Sequence, residues 1–296
     1  MAPANIRDRI VETIRGLDKL PTLPVVVALL NKEIANPNAT AQSVAKIVED
    51  DPPIMARVLK LVNSPLYAPV FSQRKDITIQ AAVVRLGMKA LRDLVITTSV
   101  LTSFPPKGSV AFDRNEFWKH SINCGLVAET VSKFASTEIP CEETEMLLSG
   151  LCHDIGKVVL DQYFHDEFQG VLEAAKQDHK LLWEEEARLL GIEHGEVGEL
   201  LAARWKLPEP IRMAVAYHHR PEALPNKDYE PLLHLVVLSD YICNHQGLGF
   251  SGNFRTMDFP RASFELLGLD VQDIPDIIER VRDEAAKSEI LLSIQK

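Results

Sequence analysis

The segment Ser149-Gly150-Leu151-Cys152-His153-Asp154-Ile155-Gly156-Lys157 places a histidine and an aspartate side by side at the end of an apolar stretch. An unpaired carboxylate in a low-dielectric interior costs several kcal/mol or titrates to its neutral form. Asp154 therefore needs a partner, and a divalent cation would satisfy His153 and Asp154 together. We expect the rest of the chain to form a scaffold that brings further ligands to this position.

The composition is that of an ordinary globular protein: 296 residues, 46% of them hydrophobic and 25% charged. The formal net charge of −10 argues against a broad nucleic-acid-binding surface, which would need a basic stripe. No apolar run reaches membrane-spanning length, and the N-terminus has no signal-peptide core. Four cysteines without CxxC spacing suit free thiols in a reducing compartment, so the sequence predicts a cytoplasmic protein.

Apolar residues recur at helical spacing through nearly the whole chain, and no stretch shows sustained period-two alternation. The sequence therefore predicts an all-α fold, whose helices include Ala41 to Glu49 after the cap Thr40, Ile79 to Leu86 between Thr78 and Gly87, and Glu142 to Asp154. Pro105-Pro106-Lys107-Gly108 is the best linker candidate. It predicts two helical subdomains, at residues 1–107 and 108–256, and a C-terminal helical extension at residues 257–296. The acidic run Glu184-Glu185-Glu186 is interpreted as a solvated helix face.

The positions of histidine and aspartate carry the functional signal. His120 shares a helix face with apolar residues, His194 opens a helix, His218-His219 close one, and Asp240 lies on an apolar stripe. Taken alone, an inward histidine is more often a hydrogen-bonded core residue than a ligand. Seven such residues spread over five helices are harder to explain independently; they are His120, His153, Asp154, His194, His218, His219 and Asp240.

These donors favour a divalent transition metal. Imidazole nitrogens combined with carboxylates suit Fe, Mn, Zn or Ni, whereas Ca or Mg would favour an oxygen-rich cage. If all seven residues converge, they exceed the coordination of one ion and could hold a pair bridged by Asp154. The alternative is a hydrogen-bonded polar core without an ion, held by His–Asp pairs.

The order of these residues resembles a known signature. His120, the His153-Asp154 doublet and Asp240 look like the H…HD…D signature of the HD superfamily of metal-dependent phosphohydrolases. Adding His194, His218-His219 and Lys157 makes the set similar to that of the HD-GYP phosphodiesterases. The resemblance implies an HD-like helical bundle in the second subdomain, with Asp154 and Lys157 as catalytic residues. Lys157 would then neutralise charge on a phosphate, the alternative being a solvent-facing lysine.

One element departs from the HD-GYP pattern. His219 is followed by Arg220-Pro221-Glu222-Ala223, without a Gly-Tyr-Pro sequence. This departure argues against hydrolysis of cyclic-di-GMP.

A broader resemblance covers roughly residues 17–245 and is to the HDOD domain, the "HD-related output domain" of bacterial signalling. It rests on separate motifs: Leu20-Pro21-Thr22-Leu23-Pro24, Asp51-Pro52 through Asn63-Ser64-Pro65, Ala81 to Gly87, His120-Ser121, Gly150 to Gly156, and Trp205 to Pro221. Many HDOD domains are described as having lost the HD ligands and as acting through binding. This chain keeps a full ligand set, so metal binding is expected here.

Two functions follow from these resemblances. The first is a bacterial regulatory module in which metal or nucleotide occupancy adjusts the packing of the second subdomain on the first. Its partner would be a signalling protein or a small nucleotide ligand, with residues 63–67 and the C-terminal helices as candidate contact surfaces. Those segments have an equally good interpretation as a turn and a capping element. The second function is an active metal-dependent phosphohydrolase acting on a nucleotide or cyclic dinucleotide; the oligomeric state is left open.

Overall fold

Helices make up all the regular structure of the part of the chain that the computed structural model describes, namely residues 6–16, 24–64, 77–104, 112–141, 143–255 and 257–292. The all-α prediction is therefore confirmed. The α-helices are α1 (Ile6–Gly16), α2 (Val25–Ile34), α3 (Ala41–Glu49), α4 (Pro52–Val62), α5 (Ile79–Leu86), α6 (Met88–Ser103), α7 (Arg114–Ser132), α8 (Glu143–Cys152), α9 (Ile155–Tyr163), α10 (His165–Asp178), α11 (Leu182–Leu190), α12 (His194–Arg204), α13 (Glu209–Tyr217), α14 (Glu230–Gln246), α15 (Arg261–Leu266) and α16 (Ile274–Leu292).

The chain divides into two compact units. One comprises Met1–Leu20 and Pro106–Ala285, and the other comprises Pro21–Pro105 and Ala286–Lys296. The domain boundaries predicted at residues 107 and 256 stay predictions. The predicted linker at 105–108 lies outside the described residues. So does the Leu20–Pro24 motif, except for Pro24.

Capping residues set the helix ends in the unit that contains α2 to α6. The hydroxyl of Thr40 accepts a hydrogen bond from Ser43 N at 3.0 Å, and Thr78 caps α5 through Ala81 N at 3.1 Å. Asp51 accepts from Ile54 N at 3.1 Å and is followed by Pro52, whose fixed φ suits the first helical turn. Gly87 ends α5 with φ +92°, a conformation that side chains disfavour.

Asn63 has a structural role in the segment that the sequence singled out as a contact surface. Its side-chain oxygen accepts a hydrogen bond from Ile77 N at 3.0 Å, and its amide donates to Leu59 O at 2.8 Å. Asn63 therefore joins the end of α4 to the chain just before α5. Pro65, Leu66 and Tyr67 lie outside the described residues.

In the other unit, α7 packs against α8 and α14, while α12 packs against α9 and α13. Val127 on α7, Leu235 on α14 and Phe264 on α15 are buried in one apolar core. Helix α1 is fixed to α12 by Arg7, whose guanidinium pairs with Glu196 at 2.7 Å. No helix in the described part of the chain is both long and apolar enough to cross a membrane.

Candidate metal centre

All seven residues predicted as metal ligands come together in one place. His120 lies on α7, His194 is the first residue of α12, and Asp240 lies on α14. His153-Asp154 form the turn between α8 and α9, and His218-His219 follow α13. Six of the seven are buried, and His219 is partly exposed. The seven side chains therefore converge, which the sequence alone left open. Their role as metal ligands stays a prediction.

The doublet lies in a turn rather than inside a helix. The sequence predicted a helix continuing to Asp154, but α8 ends at Cys152, and Asp154 is the residue before the first turn of α9, with φ −99° and ψ 7°. The turn points both side chains of the doublet inward, since His153 and Asp154 are 0% and 1% exposed.

Glycines bring the helices of the centre close together. A β-carbon at Gly150 would clash with the backbone of Gly125 on α7, and one at Gly156 would clash with the carbonyl of His194. The first contact sets α8 against the helix that carries His120, and the second sets α9 against the start of α12. Glycine is required at both positions because backbone atoms occupy the space that a side chain would fill.

The donor atoms form two groups. The first ligand group consists of His120, Cys124, His153 and Asp240, with donor atoms within 4.8 Å of one another. Within it, Asp240 Oδ1 lies 2.9 Å from His120 Nε2 and 3.6 Å from His153 Nε2. The Asn244 amide holds Asp240 in place by donating to Oδ1 at 2.7 Å.

The second ligand group consists of Asp154, His194, His218 and His219, with donor atoms again within 4.8 Å of one another. His194 Nε2 lies 3.3 Å from His218 Nε2 and 2.9 Å from His219 Nε2. The indole of Trp183 stacks on His219 with ring centroids 5.6 Å apart. Trp183 therefore covers the one partly exposed member of the group.

Asp154 connects the two ligand groups. Its Oδ1 lies 2.9 Å from His194 Nε2 and 3.5 Å from His218 Nε2. Its Oδ2 lies 3.3 Å from His153 Nε2 and 4.0 Å from His120 Nε2, and it accepts a hydrogen bond from Lys157 Nζ at 2.6 Å. Each oxygen of one carboxylate thus faces a different group, as the bridging role inferred from the sequence requires.

Hydrogen bonds at Nδ1 turn three imidazoles toward the centre. His153 Nδ1–H donates to Gly150 O at 2.6 Å, and His218 Nδ1–H donates to Val215 O at 2.8 Å. His194 Nδ1–H donates to the Glu186 carboxylate at 2.6 Å. Since these acceptors hold the proton on Nδ1, each Nε2 faces the carboxylates and imidazoles of the centre, where it can bind a proton or a cation.

The charges of the centre shift several pKa values. Burial raises the pKa of Asp154, but His153, Lys157 and His194 outweigh it and hold that pKa well below its ordinary value. Burial lowers the pKa of His153, but Asp154 and Asp240 outweigh it and raise that pKa to about 10. Burial lowers the pKa of His219 far below its ordinary value, and His218 and His194 add to the effect. Carboxylates here stay ionised and favour a positive neighbour, whether a proton or a cation.

Lys157 does not face solvent. It is 0% exposed, and its Nζ donates to Asp154 Oδ2 at 2.6 Å and to Ser251 O at 3.0 Å. The solvent-facing alternative is therefore wrong, because a buried ammonium is retained only with close partners. Its catalytic role stays a prediction.

Sequence reasoning missed Glu186. The acidic run was interpreted as solvated, but Glu185 and Glu186 are both 0% exposed, and Glu186 accepts from the backbone and the ring of His194. The signal was present, since Glu186 lies four residues from both Leu182 and Leu190, on the buried stripe of α11. Cys124 was noted as a buried thiol but not as a donor.

Comparisons with known proteins agree with this architecture. The profile of the HDOD domain matches residues 20–221. The chain belongs to the HDOD domain family. Within this family, the crystal structure of an HDOD domain protein with unknown function from Geobacter sulfurreducens is 27% identical and superposes with a TM-score of 0.77, covering 97% of this chain and 98% of that one.

Two further proteins are more distant. A candidate phosphohydrolase of Shewanella amazonensis SB2B is 23% identical with a TM-score of 0.72, over 97% of this chain and 98% of that one. At this identity the likeness concerns the fold. An uncharacterised protein of Treponema pallidum (strain Nichols) is 24% identical over 237 residues, or 80% of this chain. The HDOD chain spans only 43% of the length of that relative.

The donor set fits a transition-metal ion on the chemistry of its atoms. His153 Nε2 and Asp154 Oδ1 are buried without a hydrogen-bond partner. Buried polar atoms normally have such partners, and coordination of an ion is one reason for an exception. Nitrogen and carboxylate oxygen donors in this ratio suit Fe, Mn, Zn or Ni.

Proposed function

We propose that this HDOD protein is a bacterial signalling module that binds a divalent transition metal at the candidate centre and acts by binding a partner protein or a small nucleotide. The observation that carries the proposal is the convergence of the Nε2 atoms of His194, His218 and His219 on Asp154 Oδ1 in a buried space. Donor atoms that face one another in a low-dielectric interior must be held by protons or by a cation, and one divalent cation would satisfy all four at once.

The ligand set supports either one ion or a pair. A single ion would take the second ligand group, where Asp154 supplies Oδ1 and His194 is oriented by Glu186. A pair would add the first ligand group, with Asp154 bridging through Oδ2. A bound ion would supply Lewis acidity and a coordinated water of lowered pKa.

The surroundings of the centre favour binding over turnover. Lys157 already donates to Asp154 and Ser251, so its ammonium is engaged within the protein. Trp183 also stacks on His219 and so covers one face of the partly exposed imidazole. A site that holds an ion behind these groups is suited to regulating the shape of its domain.

The alternative is a metal-dependent phosphohydrolase acting on a nucleotide or cyclic dinucleotide. One observation favours it: Asp154 presents separate oxygens to the two ligand groups, as in a two-metal hydrolytic site. In that function Lys157 would exchange its contact with Ser251 for a phosphoryl oxygen.

Metal analysis tests the proposal. Protein purified without chelator should carry Fe, Mn, Zn or Ni in wild type. His194→Ala should lower the metal content whether one ion or a pair is bound, and His153→Ala should lower it when a pair is bound. His234→Ala is the matched control, because His234 is also a buried histidine, but it contacts Ser263 at 2.9 Å outside the two ligand groups. A metal-free wild type that also fails to take up added ions would contradict the proposal.

Turnover separates the two functions. Metal-loaded wild type is assayed against a panel of nucleotides, cyclic dinucleotides and generic phosphoesters beside Asp154→Asn, which keeps the shape of the side chain. Release of product by wild type that disappears in Asp154→Asn would establish the phosphohydrolase. Full metal occupancy without release from any substrate supports the binding module.

A further inference from the structure

We infer that Cys124 is a metal ligand, so that the first ligand group holds Zn²⁺ or Fe²⁺ through one sulfur, two imidazoles and one carboxylate. The inference rests on the metal binding proposed above and adds a sulfur donor to it. The sulfur narrows the choice for the first ligand group from Fe, Mn, Zn or Ni to the more thiophilic Zn²⁺ or Fe²⁺.

The position of Cys124 on α7 puts its sulfur beside the metal-binding atoms. It follows His120 by four residues, one turn along the same face. Its Sγ lies 3.4 Å from His120 Nε2. A tetrahedral zinc ion with bonds of about 2.0–2.3 Å separates its ligands by about 3.3–3.8 Å. The distance of 3.6 Å from His153 Nε2 to Asp240 Oδ1 falls in the same range, whereas the 2.9 Å between His120 Nε2 and Asp240 Oδ1 would have to lengthen on binding.

A second observation, independent of the thiol, indicates a cation site in the first ligand group. His153 is fully buried, its Nδ1 is held by the Gly150 carbonyl, and its Nε2 has no hydrogen-bond partner. That nitrogen lies 3.6 Å from Asp240 Oδ1, in the group of donor atoms within 4.8 Å of one another that also contains the Cys124 sulfur. Burial and a hydrogen bond with Cys243 on α14 raise the pKa of the Cys124 thiol well above its ordinary value, so the sulfur gives up its proton only in exchange for a bound cation.

The two ligand groups therefore differ in softness. The first contains sulfur, whereas the second contains three imidazoles and the shared Asp154. Thiolates favour Zn²⁺ and Fe²⁺ over Mn²⁺ and Mg²⁺, which prefer oxygen. On binding, the S–H bond of Cys124 breaks, its proton leaves to solvent, and the sulfur electron pair forms the bond to the ion without any change of oxidation state.

Binding of Co²⁺ detects a sulfur ligand directly by absorption spectroscopy. Co²⁺ added to the metal-free full chain should give a near-ultraviolet sulfur-to-cobalt charge-transfer band beside its visible d–d bands. The band should disappear in Cys124→Ser and survive in Cys243→Ser, the matched control, which removes the adjacent buried thiol. The affinity for Zn²⁺ in Cys124→Ser should fall at least about tenfold, the smallest loss typical for residues supporting a metal site.

X-ray absorption of the zinc-loaded wild type needs no variant and should show a sulfur neighbour at about 2.3 Å. Visible d–d bands without the charge-transfer band, and no sulfur around zinc, would overturn Cys124 ligation and leave the proposed metal binding intact. A band lost in Cys243→Ser but kept in Cys124→Ser would also overturn it. Absence of any Co²⁺ or Zn²⁺ binding would overturn both.

Discussion

Replacing Glu186 by glutamine tests whether the carboxylate behind His194 tunes a metal ligand. Glu186 accepts two hydrogen bonds from His194, from the backbone N at 2.8 Å and from Nδ1 at 2.6 Å. Glutamine keeps the size of the side chain and one acceptor oxygen but removes the negative charge that makes the imidazole a better donor to a cation.

The expected loss follows from the strength of that bond. A hydrogen bond to a charged group is worth about 1.5–3 kcal/mol. At about 1.4 kcal/mol per factor of ten, the whole bond corresponds to about 10- to 150-fold in metal affinity, which is an upper limit because the metal-free protein also makes this bond. The estimate agrees with the roughly 10- to 100-fold cost usually found for residues that orient metal ligands.

Competition with a chromophoric chelator measures the affinity of each variant for Zn²⁺, and circular dichroism checks that the fold is retained. Glu185→Gln is the matched control, because Glu185 is equally buried on the same helix but pairs with Lys180 and Arg188. Wild-type affinity in Glu186→Gln would refute the orienting role of this carboxylate. So would equal losses in the two variants, since the effect would then come from α11 as a whole.

Three further predictions concern the scaffold. Gly150→Ala should lower the free energy of unfolding in urea by about 1–3 kcal/mol, because the added β-carbon would meet backbone atoms of α7. Gly170→Ala, where nothing lies within 4 Å of the added carbon, should raise it by about 0.5–1 kcal/mol. Equal effects of the two variants would contradict the close packing of α7 and α8. Arg114→Met should cost up to about 3–5 kcal/mol because it takes the guanidinium away from the buried Asp161 carboxylate, which then keeps, within the described part of the chain, only its contact with the exposed His165 at 3.1 Å. An unchanged unfolding midpoint would contradict this prediction. Side-chain hydrogen bonding to Arg188 outweighs burial and lowers the pKa of Glu185 below 4.5, so this group adds stability at neutral pH that is lost as the pH falls through its folded pKa. The stability difference between wild type and Glu185→Gln should therefore shrink below pH 4.5 in unfolding titrations, and a constant difference would refute this.

Local signals in the sequence determined the helices. The predicted bounds Ala41–Glu49 and Ile79–Leu86 are those of α3 and α5, because Thr40, Thr78 and Gly87 fix helix ends through their own side chains and backbone. The end of α8 was predicted two residues too far. A turn that displays His153 and Asp154 to other helices depends on contacts distant in sequence.

The residue types of the centre could also be found from the chain alone, since a helical wheel shows which face of each helix His120 or Asp240 occupies. Periodicity does not tell how far one helix slides or rotates against another. Only the packing, set by contacts such as Gly150 on Gly125, decided that Asp154 presents one oxygen to each ligand group. The same packing buried Glu186 behind His194, because a charge can enter the interior only where another element supplies its partner.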